Sequence, residues 1–205
     1  MTNFGACILS CDGPRLSADE TALFKEIRPF GFILFARHIE SVSQVRALCD
    51  ELRATVERDC IITIDQEGGR VQRLRGPTWR DWQPPLEHIA TASESVRAMF
   101  LRARVIAHEL HGLGIDSNCI PTLDVIQPNT HPFLVNRCYG ETVDGVIAAG
   151  RATAEGLLAG GIVPVMKHIP GHGRSQFDTH FDVPTVLTDR AALEAVDFAP
   201  FAALR

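Results

Sequence analysis

Short apolar runs alternate along this chain with stretches whose apolar residues recur at helical spacing, and that alternation leaves few folds open. Residues 6–9, 31–35, 60–64, 119–125 and 162–166 read as strands. Ser17 and Glu20 fit a capping box that opens a helix running to about Ile27. Val45, Leu48, Cys49, Leu52 and Val56 mark one face of a second helix. Val96, Met99, Ala103, Ile106, Leu110 and Leu113 mark a third, closed by Gly112 and Gly114. Residues 145–158 supply a fourth, and a last helix is expected to begin near Thr188. Strands that alternate with helices imply parallel βαβ units with both sheet faces covered. No linker interrupts them, so the pattern predicts one domain over residues 1–205.

The returns from helix to strand are short, whereas the loops after the third, fourth and fifth strands are long and polar. Parallel barrels and open parallel sheets both carry their chemistry at the C-terminal ends of strands. The polar clusters of this sequence fall there.

Composition removes several function classes. A net charge of −5 gives no electrostatic footprint for nucleic acid or an anionic membrane. No apolar stretch reaches the roughly 18 residues of a membrane span. The run 6–9 is too short for a signal peptide and lacks a basic flank. The six cysteines form no C-x-x-C pair and most sit in or beside apolar runs, as expected of reduced core thiols in a cytoplasmic protein. Of the 20 basic residues only Lys25 and Lys167 are lysines. A compact point charge on a flexible stem differs from the planar fork that the chain uses elsewhere.

Three clusters could carry chemistry. The first, residues 65–73 (DQEGGRVQR), directly follows the third strand and combines two carboxylates, a Gly pair and two arginines. Carboxylates accept from hydroxyls and Arg forks donate to oxygen acceptors, so a hydroxyl-rich ligand would suit this loop. A loop braced by its own salt bridges is the plainer alternative. The second, residues 128–141, places Arg137 beside Tyr139 and Gly140, within reach of a cleft or solvated in a loop. The third is residues 167–180, KHIPGHGRSQFDTH. His168, His172, Asp178 and His180 are all conceivable metal ligands. His168 and His172, four apart, converge only on a helix, and Pro170, Gly171 and Gly173 argue against one. Acid–base chemistry fits better, because Asp178 and His180 share a side of an extended segment. A carboxylate there can hold one imidazole nitrogen and leave the other to exchange a proton.

The combination of ILFARH (33–38), IDQEGGRVQRLR (64–75), PTLDV (121–125) and KHIPGHG…DTH (167–180) resembles family 3 glycoside hydrolases, and within them the bacterial cytoplasmic β-N-acetylglucosaminidase branch. The resemblance implies a (β/α)₈ barrel of the TIM type and retaining removal of non-reducing terminal N-acetylglucosamine, as in the recycling of peptidoglycan muropeptides. It implies no metal and no cofactor. By the same resemblance Asp65 grips sugar hydroxyls, and Arg73, Arg137, Lys167 and His168 contact substrate. His180 is the expected acid/base and Asp178 its dyad partner, while His172 is expected to serve loop structure. Most retaining glycosidases give the acid/base role to a carboxyl group. An imidazole suits it because its ordinary pKa, about 6.5, lies near neutrality. An acid/base that is neutral when deprotonated also repels an anionic acceptor less than a carboxylate would, so phosphorolysis is a live variant.

Three features depart from the family pattern. Ile169 replaces the usual Phe of the K-H-F-P-G-H-G motif, and Arg137 stands in an unusual V-N-R-C context. The late S-D-D-L-x-M-like motif that carries the family's nucleophilic Asp is not found in residues 1–205. Asp189 and Asp197 read as ordinary helix residues, and Asp182 belongs to the loop after the dyad. The sequence therefore predicts a barrel truncated after about five βα units, and an inactive sugar-binding fragment is the alternative to an enzyme.

Overall fold

The computed structural model describes residues 4–178, 181 and 183–205. Three strands, β1 (Gly5–Leu9), β2 (Pro29–Leu34) and β3 (Ile61–Ile64), are followed by a short antiparallel hairpin of β4 (Gln66–Gly68) and β5 (Val71–Gln72). Then come β6 (Ser117–Asn118) and β7 (Val163–Pro164). Outside the hairpin, the strands form one parallel sheet in the order β1-β2-β3-β6-β7. Each new strand is added on the same side of the last. A doubly wound sheet needs a point where strand order reverses, and this sheet has none. The fold is α/β of the TIM-barrel type, in five βα units.

The crossovers carry α1 (Ala18–Ile27), α2 (Val42–Val56), α3 (Pro85–Thr91) with α4 (Ser95–His111), and α5 (Pro132–Val135) with α6 (Val143–Leu158). After β7 the chain ends in α7 (Arg190–Val196) and α8 (Ala199–Leu204). The capping box is present: Ser17 Oγ accepts from Glu20 N at 3.2 Å, and Glu20 Oε2 accepts from Ser17 N at 2.8 Å. All five stripe residues of α2 are buried; Met99, Ala103, Ile106 and Leu110 bury the corresponding face of α4, and Leu113 is buried just past its end. Val96, at the first turn, is 49% exposed and lies off that face. Phe24, Phe32, Leu48, Ile62 and Ile106 belong to one core cluster against the sheet. Met99, Leu123, Val125, Tyr139, Val146 and Phe201 form a second. Each such side chain contributes about 1.5–3 kcal/mol by leaving water.

The fourth strand is displaced from its expected place. Residues 117–118 pair with β3 and β7, whereas 119–125 contributes scattered backbone bonds, such as Cys119 N to Ile64 O, and an isolated bridge between Thr122 and Lys167 rather than a regular ladder. Pro121 has no N–H to give a ladder, so the regular pairing ends before it. In the fifth strand, regular pairing covers 163–164 of the expected 162–166 and ends at Pro164. Asp197 also differs from expectation. It is 2% exposed and accepts from Arg174 Nε at 2.7 Å, tying the end of α7 to the loop after β7. Asp189 is the N-cap of α7, accepting from Ala192 N at 3.0 Å.

Candidate active site

Strand β3 is the anchor. Its residues Ile62–Ile64 are buried, and it delivers Asp65 at its C-terminal end. The chain then doubles back through the β4–β5 hairpin, whose turn needs glycine: Gly68 and Gly69 have φ of +110° and +59°. Gln66 pins the return, its Oε1 accepting from the backbone N of Arg73 at 3.0 Å and of Leu74 at 3.1 Å. Asn118 locks the hairpin to β6, accepting from Gln66 N at 3.0 Å and donating to Gln66 O at 3.1 Å. Arg73 is thereby turned back onto Asp65, with Nη2 3.0 Å from Oδ2. Loop bracing and the candidate binding group are thus the same ion pair.

Lys167 arrives from the end of β7, 102 residues away in sequence, and its Nζ is 2.9 Å from Asp65 Oδ1. The same ammonium is 2.5 Å from Glu67 Oε1. Glu67 is 1% exposed and grips Arg137 with both oxygens, at 2.9 Å to Nε and 2.8 Å to Nη2. Arg137 is therefore 7% exposed rather than solvated. The short helix α5 sets it, since Arg137 N donates to Leu134 O and its guanidinium lies over the Phe133 ring. His168 completes the group, with Nε2 3.3 Å from Arg137 Nη2 and Nδ1 2.6 Å from Asp124 Oδ2.

Burial alone would raise both carboxyl groups of the β3–β4 segment, but the cations outweigh it. Lys167 and then Arg73 hold Asp65 below its ordinary value, and Arg137 and Lys167 do the same for Glu67. Burial lowers the His172 imidazole, and Asp124 opposes it. Both carboxylates of the cluster are ionised at neutral pH and available as acceptors.

Asp65, Arg70, Arg73, Arg137, Lys167 and His168 help to line a cleft of about 500 Å³, a size that admits a monosaccharide. It opens at the C-terminal ends of β3, β6 and β7. The structure thus brings together the five expected binding residues Asp65, Arg73, Arg137, Lys167 and His168. Burial and Arg137 lower the Arg70 guanidinium, and the charges of Glu67 and Asp178 oppose them. His180 lies outside the described residues.

Sequence reasoning gave no role of their own to Glu67, Arg70 and Asp124, and expected of His172 only loop structure. Glu67 and Asp124 stand inside quoted motifs, but their roles as anchors depend on partners distant in sequence. Arg70 and His172 line the cleft. His172 also serves the loop as expected, its backbone N donating to Asp124 Oδ1 at 2.7 Å. Among the described residues, no group of three or more His, Cys, Asp or Glu is arranged to hold a metal ion. No helix among them is long and apolar enough to cross a membrane.

Comparison with known proteins bears on the family and the fold. The model of the glycosyl hydrolase family 3 N terminal domain matches residues 8–204. A beta-hexosaminidase of Methylococcus capsulatus is 37% identical over 193 residues, covering 94% of this chain and 57% of its own length. Native NagZ from Neisseria gonorrhoeae superposes with a TM-score of 0.89 at 30% identity, covering 98% of this chain and 59% of that one. The same enzyme in complex with N-trifluoroacetyl-D-glucosamine gives 0.88 at 32% identity, covering 98% and 60%. The chain thus spans little more than half the length of the relatives it matches. It belongs to glycosyl hydrolase family 3, to the family's N-terminal domain.

Proposed function

We propose that residues 1–205 are the N-terminal, acid/base-bearing portion of the catalytic barrel of a retaining exo-β-N-acetylhexosaminidase. Its substrate is a glycan ending in non-reducing N-acetylglucosamine, as in muropeptide fragments recycled in the cytoplasm. The observation that carries this reading is the cleft in which Asp65 presents a carboxylate held ionised by Lys167 and Arg73. Such a carboxylate accepts from sugar hydroxyls, while Arg137, Lys167 and His168 surround the same volume.

His180, as imidazolium and oriented by Asp178, gives its proton to the glycosidic oxygen as the C1–O bond breaks. A nucleophilic carboxylate, which none of the motifs in this chain supplies, takes C1 into a glycosyl-enzyme. His180 then accepts a proton from the water that attacks C1, and the carboxylate leaves. No step calls for a metal or a cofactor.

A second reading, sugar binding without turnover, is favoured by the aspartates near the end of the chain. Asp189 is used as a helix cap and Asp197 is buried against Arg174. One experiment separates the two. The 205-residue chain is titrated with N-acetylglucosamine, and the protein extended by the segment that carries the nucleophile is assayed with an aryl β-N-acetylglucosaminide. Turnover that falls about 10²–10⁴-fold with His180→Ala supports the enzyme. Saturable binding without turnover supports the second reading, and neither binding nor turnover overturns both. A sugar 1-phosphate formed with added inorganic phosphate would mark the phosphorolytic variant.

A further inference from the structure

Asp124 is fully buried, yet it accepts three hydrogen bonds, all from the loop after β7. Oδ1 takes the backbone N of His172 at 2.7 Å and of His168 at 3.3 Å. Oδ2 takes the His168 ring through Nδ1 at 2.6 Å, the shortest of the three. A purely structural carboxylate needs only the two backbone contacts, so the ring contact asks for a further account. On the far side of the ring, Nε2 faces Arg137 Nη2 at 3.3 Å. A guanidinium nitrogen can only donate, so Nε2 must accept and the ring hydrogen sits on Nδ1. The His168 side chain is 36% exposed and lines the cleft. Arg73, Arg137 and Lys167 can only donate there.

We propose that Asp124 is a positioning residue that fixes His168 as the Nδ1–H tautomer, so that the single Nε2 lone pair, which faces Arg137 Nη2 at 3.3 Å, is given over to a hydroxyl of the bound sugar as a second acceptor beside Asp65, Arg137 keeping its bidentate pair with Glu67. The proposal rests on the sugar-binding reading above. It gives the cleft a polarity: the ligand must bring donors to the Asp65 and His168 positions and acceptors to the cationic ones.

Two-bond proton–nitrogen correlations of the imidazoles in the ¹⁵N-labelled 205-residue chain test it. In wild type the His168 ring should show a protonated Nδ1 and a bare, pyridine-like Nε2. Asp124→Asn presents an amide that can donate to Nδ1. The hydrogen should then move to Nε2, with the affinity for N-acetylglucosamine falling about tenfold. His168→Phe removes the acceptor without touching Asp124, and it should lower affinity by a similar factor. An Nε2–H ring in wild type, an unchanged tautomer in Asp124→Asn, or full affinity in His168→Phe overturns the proposal. The wild-type tautomer can be read even if Asp124→Asn does not fold. An Nδ1–H ring in a chain that binds no sugar overturns the sugar reading and leaves the positioning by Asp124 standing.

Discussion

Glu67→Gln removes one unit of charge and almost no volume from the most deeply buried part of the site. Glu67 is 1% exposed and takes three charge-assisted hydrogen bonds, two from Arg137 at 2.9 and 2.8 Å and one from Lys167 at 2.5 Å. A glutamine keeps one acceptor oxygen, and its NH₂ must then face a cation with a donor. Removing one partner of a buried pair costs about 3–5 kcal/mol. Lys167 keeps Asp65 at 2.9 Å, which places the expected loss near the lower end, about 3 kcal/mol. With a urea dependence of about 2 kcal/mol/M, the midpoint should fall by about 1.5 M. Trp79 and Trp82 pack against the core beside the hairpin, so their fluorescence reports the transition. Because Glu67 and Arg137 are in contact, Glu67→Gln combined with Arg137→Met should lose less than the sum of the two single changes. A midpoint within about 0.3 M of wild type would refute the reasoning, since a buried anion serving two cations cannot be lost at the price of a surface residue.

Two further outcomes follow from the same region. A Cβ at Gly173 would sit 2.0 Å from Val125 O, so Gly173→Ala must push the loop after β7 away from the Val125 backbone. A cost of about 1–3 kcal/mol is expected, and the melting temperature should drop by about 5 °C; an unchanged melting curve would contradict the close approach. The pH dependence follows from Asp65 and Glu67, both held below their ordinary values of 3.8 and 4.5. Carboxyl groups depressed on folding stabilise fully above those values and lose that contribution as pH falls through and below them. Urea midpoints measured from neutrality down to about pH 3 should therefore decline most steeply below about pH 5, and less steeply in Glu67→Gln. Equal slopes in the two proteins would remove Glu67 from the account.

The legible part of this fold was whatever repeats locally. The apolar stripe of α2 and the Ser17–Glu20 cap are properties of neighbours in sequence, and both stand where the spacing put them. The fourth strand was hidden because its paired residues, Ser117 and Asn118, are polar, buried for side-chain hydrogen bonding rather than for apolar packing. The more apolar run that follows, CIPTLDV, drew the assignment forward even though Pro121 cannot serve a ladder. The same limit hid the anchoring roles of Glu67 and Asp124. An acidic residue beside an apolar run is ambiguous until its partners are known, and Arg137 and His168 lie 70 and 44 residues away. Asp65 and Lys167 could be singled out, the first from its place at a strand's end and the second from the rarity of lysine. Their mutual contact could not.

On the proposed function, that contact would shape how the cleft takes a sugar. Lys167 stands between a carboxylate that borders the cleft, Asp65, and one sealed beneath it, Glu67. A ligand hydroxyl that claims Asp65 Oδ1 displaces the ammonium from one anion but not from the other. Entry becomes an exchange of partners at a single oxygen, with no charge stranded and no wall rebuilt. On the function proposed above, such a ligand would leave Lys167 with Glu67 and Asp65 with Arg73, so no partner would be left alone.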